Sequence, residues 1–485
     1  MTKSIRLNYV FNLIYNIFTV LTPLITTPYV ARVLHADGVG LYSYTYSIAT
    51  AFVALAQFGT STYGQRQIAY CRNDIRECSR VFWNVFLLRF MNVAISLVIY
   101  YAIFFNSEHF DMFLLQSMCI IATAFDISWF FSGVEEFGLL AIRDGLSKAV
   151  SIVCVFVFVK TSDDVGLYTF ILAAAIIGGR LLSWIPLPRY LRRVPLRSIN
   201  IFENFREILV LFIPQIASQL SYIIDKSMIG LLTDSTYENG YYMQAERIIS
   251  LSLTLSTSVV GIMFPRVSAM FAEGNQEGIM RLVRKVSRFL WMLCLPVGAG
   301  VIVLIDMVVP WFLGSGYDKV ILLTQMMSVQ FLITGIQSGI SSLLLVARKR
   351  QNEYTMCIMV GAVSNICLNA CLIPGYYSVG AVVATILSGI ISTCVQLYMV
   401  RKEYRLREIL CGALPYLIPT AVMAAVLMLI KQHMAYTFMN TVVLVALGMC
   451  IYFAQLWLTH EEIFMSNVVR MLQSFVNKRM SRKNG

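Results

Sequence analysis

Two adjacent pairs of opposite charge, Asp225-Lys226 and Glu246-Arg247, sit inside apolar stretches of this chain. A charge near the centre of a membrane helix costs at least ~2.5–3.5 kcal/mol, so it should face protein or water and is a functional candidate by default. Gln215, Gln219, Tyr222 and Lys226 recur at spacings of four and three, which is one helical face, and Ser218, Ser221 and Asp225 run beside them. Near the N-terminus Asn8, Asn12, Tyr15, Thr19, Thr22, Thr26 and Tyr29 keep the same rhythm, and Arg32 closes that stretch. Ser43, Ser47, Thr50, Gln57 and Ser61 follow on the next one, and Ser250 and Thr257 continue the stripe that begins at Glu246. Such polar stripes either glue helices together or line a shared hydrated cavity. The charge pairs either neutralise one another, Lys226 with Glu246 for example, or meet a charged substrate.

The elements that carry these residues follow from hydropathy. Hydrophobic residues make up 58% of the 485 and charged residues 13%, against about 25% charged in an ordinary soluble domain. Fourteen apolar segments, at about 8–34, 39–63, 81–105, 112–131, 142–159, 165–187, 208–232, 240–264, 289–313, 320–346, 354–373, 379–400, 411–430 and 438–458, are long enough to cross a bilayer. Backbone polar groups in hydrocarbon must be satisfied internally, so these are predicted helices. The loops between them alternate in charge. Of 38 basic residues, 30 fall in alternate loops and the termini and 3 (Lys160, Lys319, Lys431) in the others. That asymmetry predicts a cytoplasmic location for both termini. The net charge of +12 then reflects topology and attraction to anionic lipid headgroups, and gives no reason to expect nucleic acid.

The interhelical loops are too short for a soluble catalytic domain, which needs at least about 50 residues. The first apolar run is longer than a signal-peptide core. Eleven Cys lie mostly in spans and four His at loops and span ends, a distribution that predicts neither a metal site nor a disulfide framework. Arg89 and Arg180, within about two turns of a predicted span end, are expected to snorkel, and Asp306 to reach headgroups or water.

A weak repeat at an offset of 200 pairs Gly40-Leu41-Tyr42 with Gly240-Tyr241-Tyr242, and Arg66 with Arg266. Two six-span halves in the same orientation form a parallel repeat, as in transporters whose site lies between the halves. The polar stripes then fall on equivalent spans one, two, seven and eight, which favours the cavity reading. The expected divisions are residues 1–207, 208–410, and 411–485 with two extra spans and a basic tail.

The run Asn8-Tyr9 through Pro23-Leu24-Ile25-Thr26-Thr27-Pro28-Tyr29-Val30-Ala31-Arg32, followed by Gly38-Val39-Gly40-Leu41-Tyr42-Ser43, resembles bacterial polysaccharide-biosynthesis flippases. These are the Wzx-type members of the multidrug/oligosaccharidyl-lipid/polysaccharide exporter superfamily. Asp126-Ile127-Ser128-Trp129-Phe130-Phe131-Ser132-Gly133-Val134-Glu135-Glu136-Phe137 with Arg143 and Lys148, Ile224 through Gly230, and Gly380 through Thr385 carry the same likeness. The resemblance implies an all-α polytopic fold of 14 transmembrane helices. Two parallel six-helix lobes would form a V, lined by spans one, two, seven and eight, with two extra C-terminal helices. It implies a bacterial inner-membrane flippase, not an enzyme. The substrate would be an oligosaccharide unit on undecaprenyl pyrophosphate, delivered to the periplasmic leaflet for O-antigen, capsule or exopolysaccharide assembly, with polymerase machinery as a partner. On that view Arg32, Lys226 and Arg247 offset the pyrophosphate charge. Asn12, Gln215, Gln219 and Tyr222 hydrogen-bond sugar hydroxyls. Asp225 and Glu246 couple transport to a proton or sodium gradient, with no other cofactor.

Two rivals stay in view. A drug/ion antiporter of the same superfamily would share the fold, but its cavity should be more acidic. A membrane-embedded glycan-modifying enzyme should show a convergent catalytic set, and none stands out.

Overall fold

The computed structural model describes residues 5–195, 198–233, 235–348, 350–401 and 411–469. Their side chains are described except at 5–21, 213–214, 217–218, 220–222, 255–259, 261–262, 264–265, 338–342 and 467–469. All fourteen apolar segments are predominantly helical where described, and no strand occurs among the described residues. Nine helical stretches there are long and apolar enough to cross a membrane; one of them, Gln351–Val400, holds two of the predicted spans, and another, Thr22–Cys71, runs from within span one through span two. The protein is a multi-pass membrane protein.

Helix α1 (Ile5–Gln57) runs through predicted spans one and two and is broken at His35, where φ is 54°. Next come α2 (Thr60–Cys71), α3 (Ile75–Phe104), α4 (Phe110–Ala124), α5 (Ser128–Gly133), α6 (Phe137–Phe158), α7 (Val165–Leu182), α8 (Phe205–Leu232) and α9 (Thr236–Ala272). The remainder is α10 (Gln276–Phe312), α11 (Asp318–Met327), α12 (Gln330–Ser338), a π-helical segment at Gly339–Val346, α13 (Gln351–Val400), α14 (Leu414–Lys431) and α15 (Phe438–Leu458). Helix α13 turns at Tyr377, φ 52°. Across that break a Cβ on Gly380 would lie 2.5 Å from the Leu372 carbonyl oxygen, so only glycine permits the approach.

The fourth predicted span is two helices, because the backbone at 125–127 is held by side chains. Asp126 Oδ1 accepts from the Ser128 amide at 3.0 Å, and the Asp126 carbonyl accepts from Arg89 at 2.6 Å. Local side-chain bonds of this kind compete with the helical ladder.

The chain packs as two compact units, Met1–Met243 and Gln244–Gly485. In the first, one cluster is aromatic, with Phe82, Trp129, Phe130 and Phe131 buried together under α2, α3 and α5. Helix α8, which the repeat assigns to the second half, packs on α1 within this unit. In the second, α10 is central and packs against α11, α12, α14 and α15. Two bonds fix the last pair of spans to it. Tyr452 donates to the Met292 carbonyl at 2.9 Å, and Lys431 Nζ pairs with Asp306 Oδ2 at 2.6 Å. Asp306 therefore does not simply reach headgroups or water, as its place near a span end suggested. A carboxylate leaving the hydrocarbon is better neutralised by an ammonium on the neighbouring helix than by snorkelling alone.

Candidate functional site

Helix α8 carries most of the candidates. Asp225 is 3% exposed and accepts a hydrogen bond from Tyr242 Oη at 2.5 Å, across to the first turns of α9. Lys226 is half-buried, and its carbonyl accepts from Asn239 Nδ2 at 2.6 Å. Ser227 bonds Ser47 on α1 at 2.9 Å, and Gln215 Nε2 donates to Gln57 Oε1 at 3.2 Å. The stripes on predicted spans two and seven thus do meet, through Gln57–Gln215, and Ser227, outside the stripe, adds a contact to Ser47, partly as interhelical glue. Gln219 is exposed, as is Arg32 on α1. Asn12 and Tyr222 fall in α1 and α8, but their side chains lie outside the described residues. Glu246 and Arg247 belong to the second unit and are half-buried on α9. Removing the Tyr242 hydroxyl takes a charge-assisted bond from a buried carboxylate. Tyr242→Phe is expected to cost about 1.5–3 kcal/mol, read as a fall in the thermal midpoint of the purified protein, and no shift at all would contradict the bond.

The textual repeat at offset 200 has a physical counterpart. A Cβ on Gly40 would coincide with the Thr236 carbonyl, and one on Gly240 with the carbonyl of Ala36. The two contacts are equivalent, 40 with 236 and 240 with 36, as in an isologous contact between related elements. Asp37 and Thr236 also share a hydrogen bond here.

A second polar cluster lies wholly in the first unit, on residues of the quoted Asp126–Lys148 stretch and its neighbours. Arg89 has no exposed surface. It donates to Thr60 Oγ1 at 2.9 Å, Ser61 Oγ at 2.7 Å and the Asp126 carbonyl at 2.6 Å. The carboxylate of Asp126, 11% exposed, accepts from Arg180 NH1 at 2.9 Å and from the Ser128 hydroxyl. Arg143 reaches Ser128 at 3.1 Å and Ser183 at 2.8 Å, and pairs with Asp144 at 2.6 Å. Snorkelling, the sequence expectation for Arg89 and Arg180, is overturned for Arg89 and incomplete for Arg180. Distance to a helix end says nothing about facing direction, and Arg89 points into the helix bundle. Three guanidiniums on three helices thus gather at the α4–α5 break.

In the second unit the sequence reading missed two sets of polar contacts on predicted spans ten to twelve. Asn369 donates to Asn365 Oδ1 at 3.1 Å, and Gln337 Nε2 donates to Thr393 Oγ1 at 2.9 Å and the Gly389 carbonyl at 3.1 Å. Asn365 and Asn369, four apart within one apolar run, and Thr393 in the next were the available signal. Also here is a cavity of about 490 Å³ between α9, α10, α14 and α15, walled by Pro296, Val301, Leu304, Met423, Leu427 and Tyr452. Its apolar walls suit hydrocarbon better than sugar.

Among the described residues no three His, Cys, Asp or Glu are grouped to hold a metal ion. Cys71, at the end of α2, and Cys78, in the first turn of α3, bring their Sγ atoms to 2.8 Å. Burial pushes both thiols up, which keeps them protonated at neutral pH.

The polysaccharide biosynthesis protein family matches residues 5–271, more than half of the chain. The chain belongs to that family. Two relatives are named for O-antigen transport. The one from Escherichia coli (strain K12) is 19% identical over 412 residues, spanning 82% of this chain and 97% of the relative. The one from Shigella dysenteriae is 18% identical over 372 residues, spanning 76% and 92%. Among solved structures, the lipid II flippase MurJ in an inward closed conformation superposes with a TM-score of 0.73 at 18% identity, over 95% of this chain and all of that one. An inward-facing multidrug resistance MATE transporter of the MOP superfamily superposes at 0.58 with 13% identity, over 78% and 94%. The fold of this family member is therefore of the MurJ and MATE kind. The matched span, 5–271, contains Arg32, the α8 stripe, the buried arginine cluster and the Glu246-Arg247 pair.

Proposed function

We propose that the protein is a flippase that moves oligosaccharide units linked to undecaprenyl pyrophosphate from the cytoplasmic to the periplasmic leaflet of a bacterial inner membrane. The observation that carries this reading is near full-length similarity to relatives named for O-antigen transport, 97% of one and 92% of the other. Family membership and a fold shared with a lipid II flippase support it. The lipid tail stays in hydrocarbon while glycan and pyrophosphate need a wet, cationic path. Arg32, Lys226 and Arg247 offset pyrophosphate charge, and Asn12, Gln215, Gln219 and Tyr222 bind sugar hydroxyls. Asp225 and Glu246 couple the cycle to a proton or sodium gradient. Both termini are cytoplasmic, in keeping with the Arg-rich loops. Anionic lipids and the polymerase machinery are partners, and no catalytic step is involved.

The second reading is a cation-coupled multidrug antiporter, favoured by the MATE likeness of the fold. Deleting the gene in a strain with no other flippase separates the two. The flippase reading expects lipid-linked units stranded on the cytoplasmic leaflet and loss of surface glycan. Normal surface glycan would defeat it. Lys226→Ala is expected to lower glycan export at least tenfold at unchanged protein level, with Lys226→Arg retaining most of it. Wild-type export by Lys226→Ala removes that residue from the path.

A further inference from the structure

Between α6 and α7 in the first unit runs an open groove of about 590 Å³, walled by Val150, Cys154 and Phe158 on one side and by Phe170, Ala174 and Gly178 on the other. Several wall residues, Phe158 and Phe170 among them, are exposed. The groove is open because α7 is small-chained here, and a Cβ added to Gly178 would meet nothing within 4 Å. Its lining is almost wholly apolar. The two serines on it are already engaged, Ser147 Oγ donating to the Ala175 carbonyl at 2.5 Å and Ser151 Oγ to the Lys148 carbonyl at 2.8 Å. Nothing along these walls recognises a sugar or a peptide backbone, and hydrocarbon fits them.

The two ends differ in charge. Toward the Leu146/Leu182 end the side chains that keep exposed surface are Lys148, Arg180 and Arg189 against Glu136 and Asp144, while Arg89 and Arg143 are buried and committed within the bundle. Arg180 commits NH1 to Asp126 and Ser128, yet its side chain keeps 30% of its surface exposed. Trp184 follows α7 at the same end, its indole N–H donating to the Phe125 carbonyl at 2.9 Å. A tryptophan so placed is typical of the headgroup level. At the Phe158/Leu167 end, Lys160 faces Asp163 and Asp164, so the balance there is acidic. An apolar slot with one cationic end and one acidic end is complementary to an amphiphile with an anionic head.

We propose that the α6–α7 groove is a binding site for one anionic glycerophospholipid, its acyl chain along the groove and its phosphate at the Lys148/Arg180 end. Each basic side chain near a headgroup contributes a factor of about five in affinity for an anionic lipid, while acyl contact in the groove serves charged and zwitterionic lipids alike. The site thus discriminates by head and retains by tail. It stands independently of the transport reading.

Native mass spectrometry of the full-length protein from nanodiscs of phosphatidylglycerol and phosphatidylethanolamine tests it. The wild type should retain one phosphatidylglycerol in preference to phosphatidylethanolamine. Lys148→Gln should lose about fivefold of that preference. Gly178→Leu, whose Cβ enters open space, should lose the retained lipid of both kinds at an unchanged thermal midpoint. Val157→Leu, exposed on α6 away from the groove lining, should match the wild type. Equal retention of the two lipids by the wild type, or full retention of phosphatidylglycerol by both Lys148→Gln and Gly178→Leu, overturns the proposal. Displacement of the retained phosphatidylglycerol by undecaprenyl pyrophosphate also overturns it and gives the groove to the isoprenoid.

Discussion

Asp126→Asn is expected to destabilise the protein by about 3–5 kcal/mol, the range for removing one partner of a buried ion pair. The carboxylate is 11% exposed and directly accepts from Arg180, while Arg89, fully buried on the adjoining helix, is held by neutral oxygens of Thr60, Ser61 and the Asp126 backbone. Asparagine keeps the shape and one acceptor but removes the negative charge that directly contacts the Arg180 guanidinium and lies beside that of Arg89. The loss should appear as a lower thermal midpoint in detergent and reduced membrane yield. Pairing it with Arg180→Gln should recover part of the loss, because the second substitution removes one of the charges left without a counter-ion. A single variant within 1 kcal/mol of wild type, or a double variant worse than the sum, would show that the cluster is not electrostatically coupled.

Gly40→Val is the second large effect. Its Cβ would coincide with a backbone carbonyl, that of Thr236, which cannot rotate away as a side chain would. Overpacking usually costs 1–3 kcal/mol, and with backbone on the far side we expect about 3 kcal/mol or more, with glycan export lost. Gly240→Ala should behave alike, through the Ala36 carbonyl. Because both substitutions force the same two helix starts apart, Gly40→Ala with Gly240→Ala should cost less than the sum of the single changes. Thermal melting by size-exclusion chromatography reads each midpoint. Strict additivity would mean that the two contacts are independent and that the reciprocal geometry has no energetic content.

The glycine pair illustrates how much could be read beforehand. Gly40-Leu41-Tyr42 against Gly240-Tyr241-Tyr242 was visible as a textual repeat, but text does not say that the repeated glycines touch. Likewise the stripe of Gln215, Gln219, Tyr222 and Lys226 was legible as a helical face. That Gln215 meets Gln57, and that the adjacent Asp225 meets Tyr242, required the packed helices. Arg89 and Asp306 were misread for one shared reason. Depth along a helix is a poor guide here, because azimuth decides whether a charge meets lipid, water or a partner on another helix. The broken fourth span was missed because hydropathy is blind to an Asp126 side chain that captures nearby amides.

Sequence alone determined that this is an all-helical membrane protein and where its apolar helices lie. A backbone in hydrocarbon must bond to itself, so long apolar runs admit little else. It also determined family-level kinship, carried by short runs such as Asp126–Phe137. Only tertiary structure decided which polar groups meet: Arg89 with Thr60 and Ser61, Lys431 with Asp306, Gly40 with Thr236, and the open slot between α6 and α7. Those pairings depend on helix rotation and close approach, which are settled by packing among segments far apart in the chain.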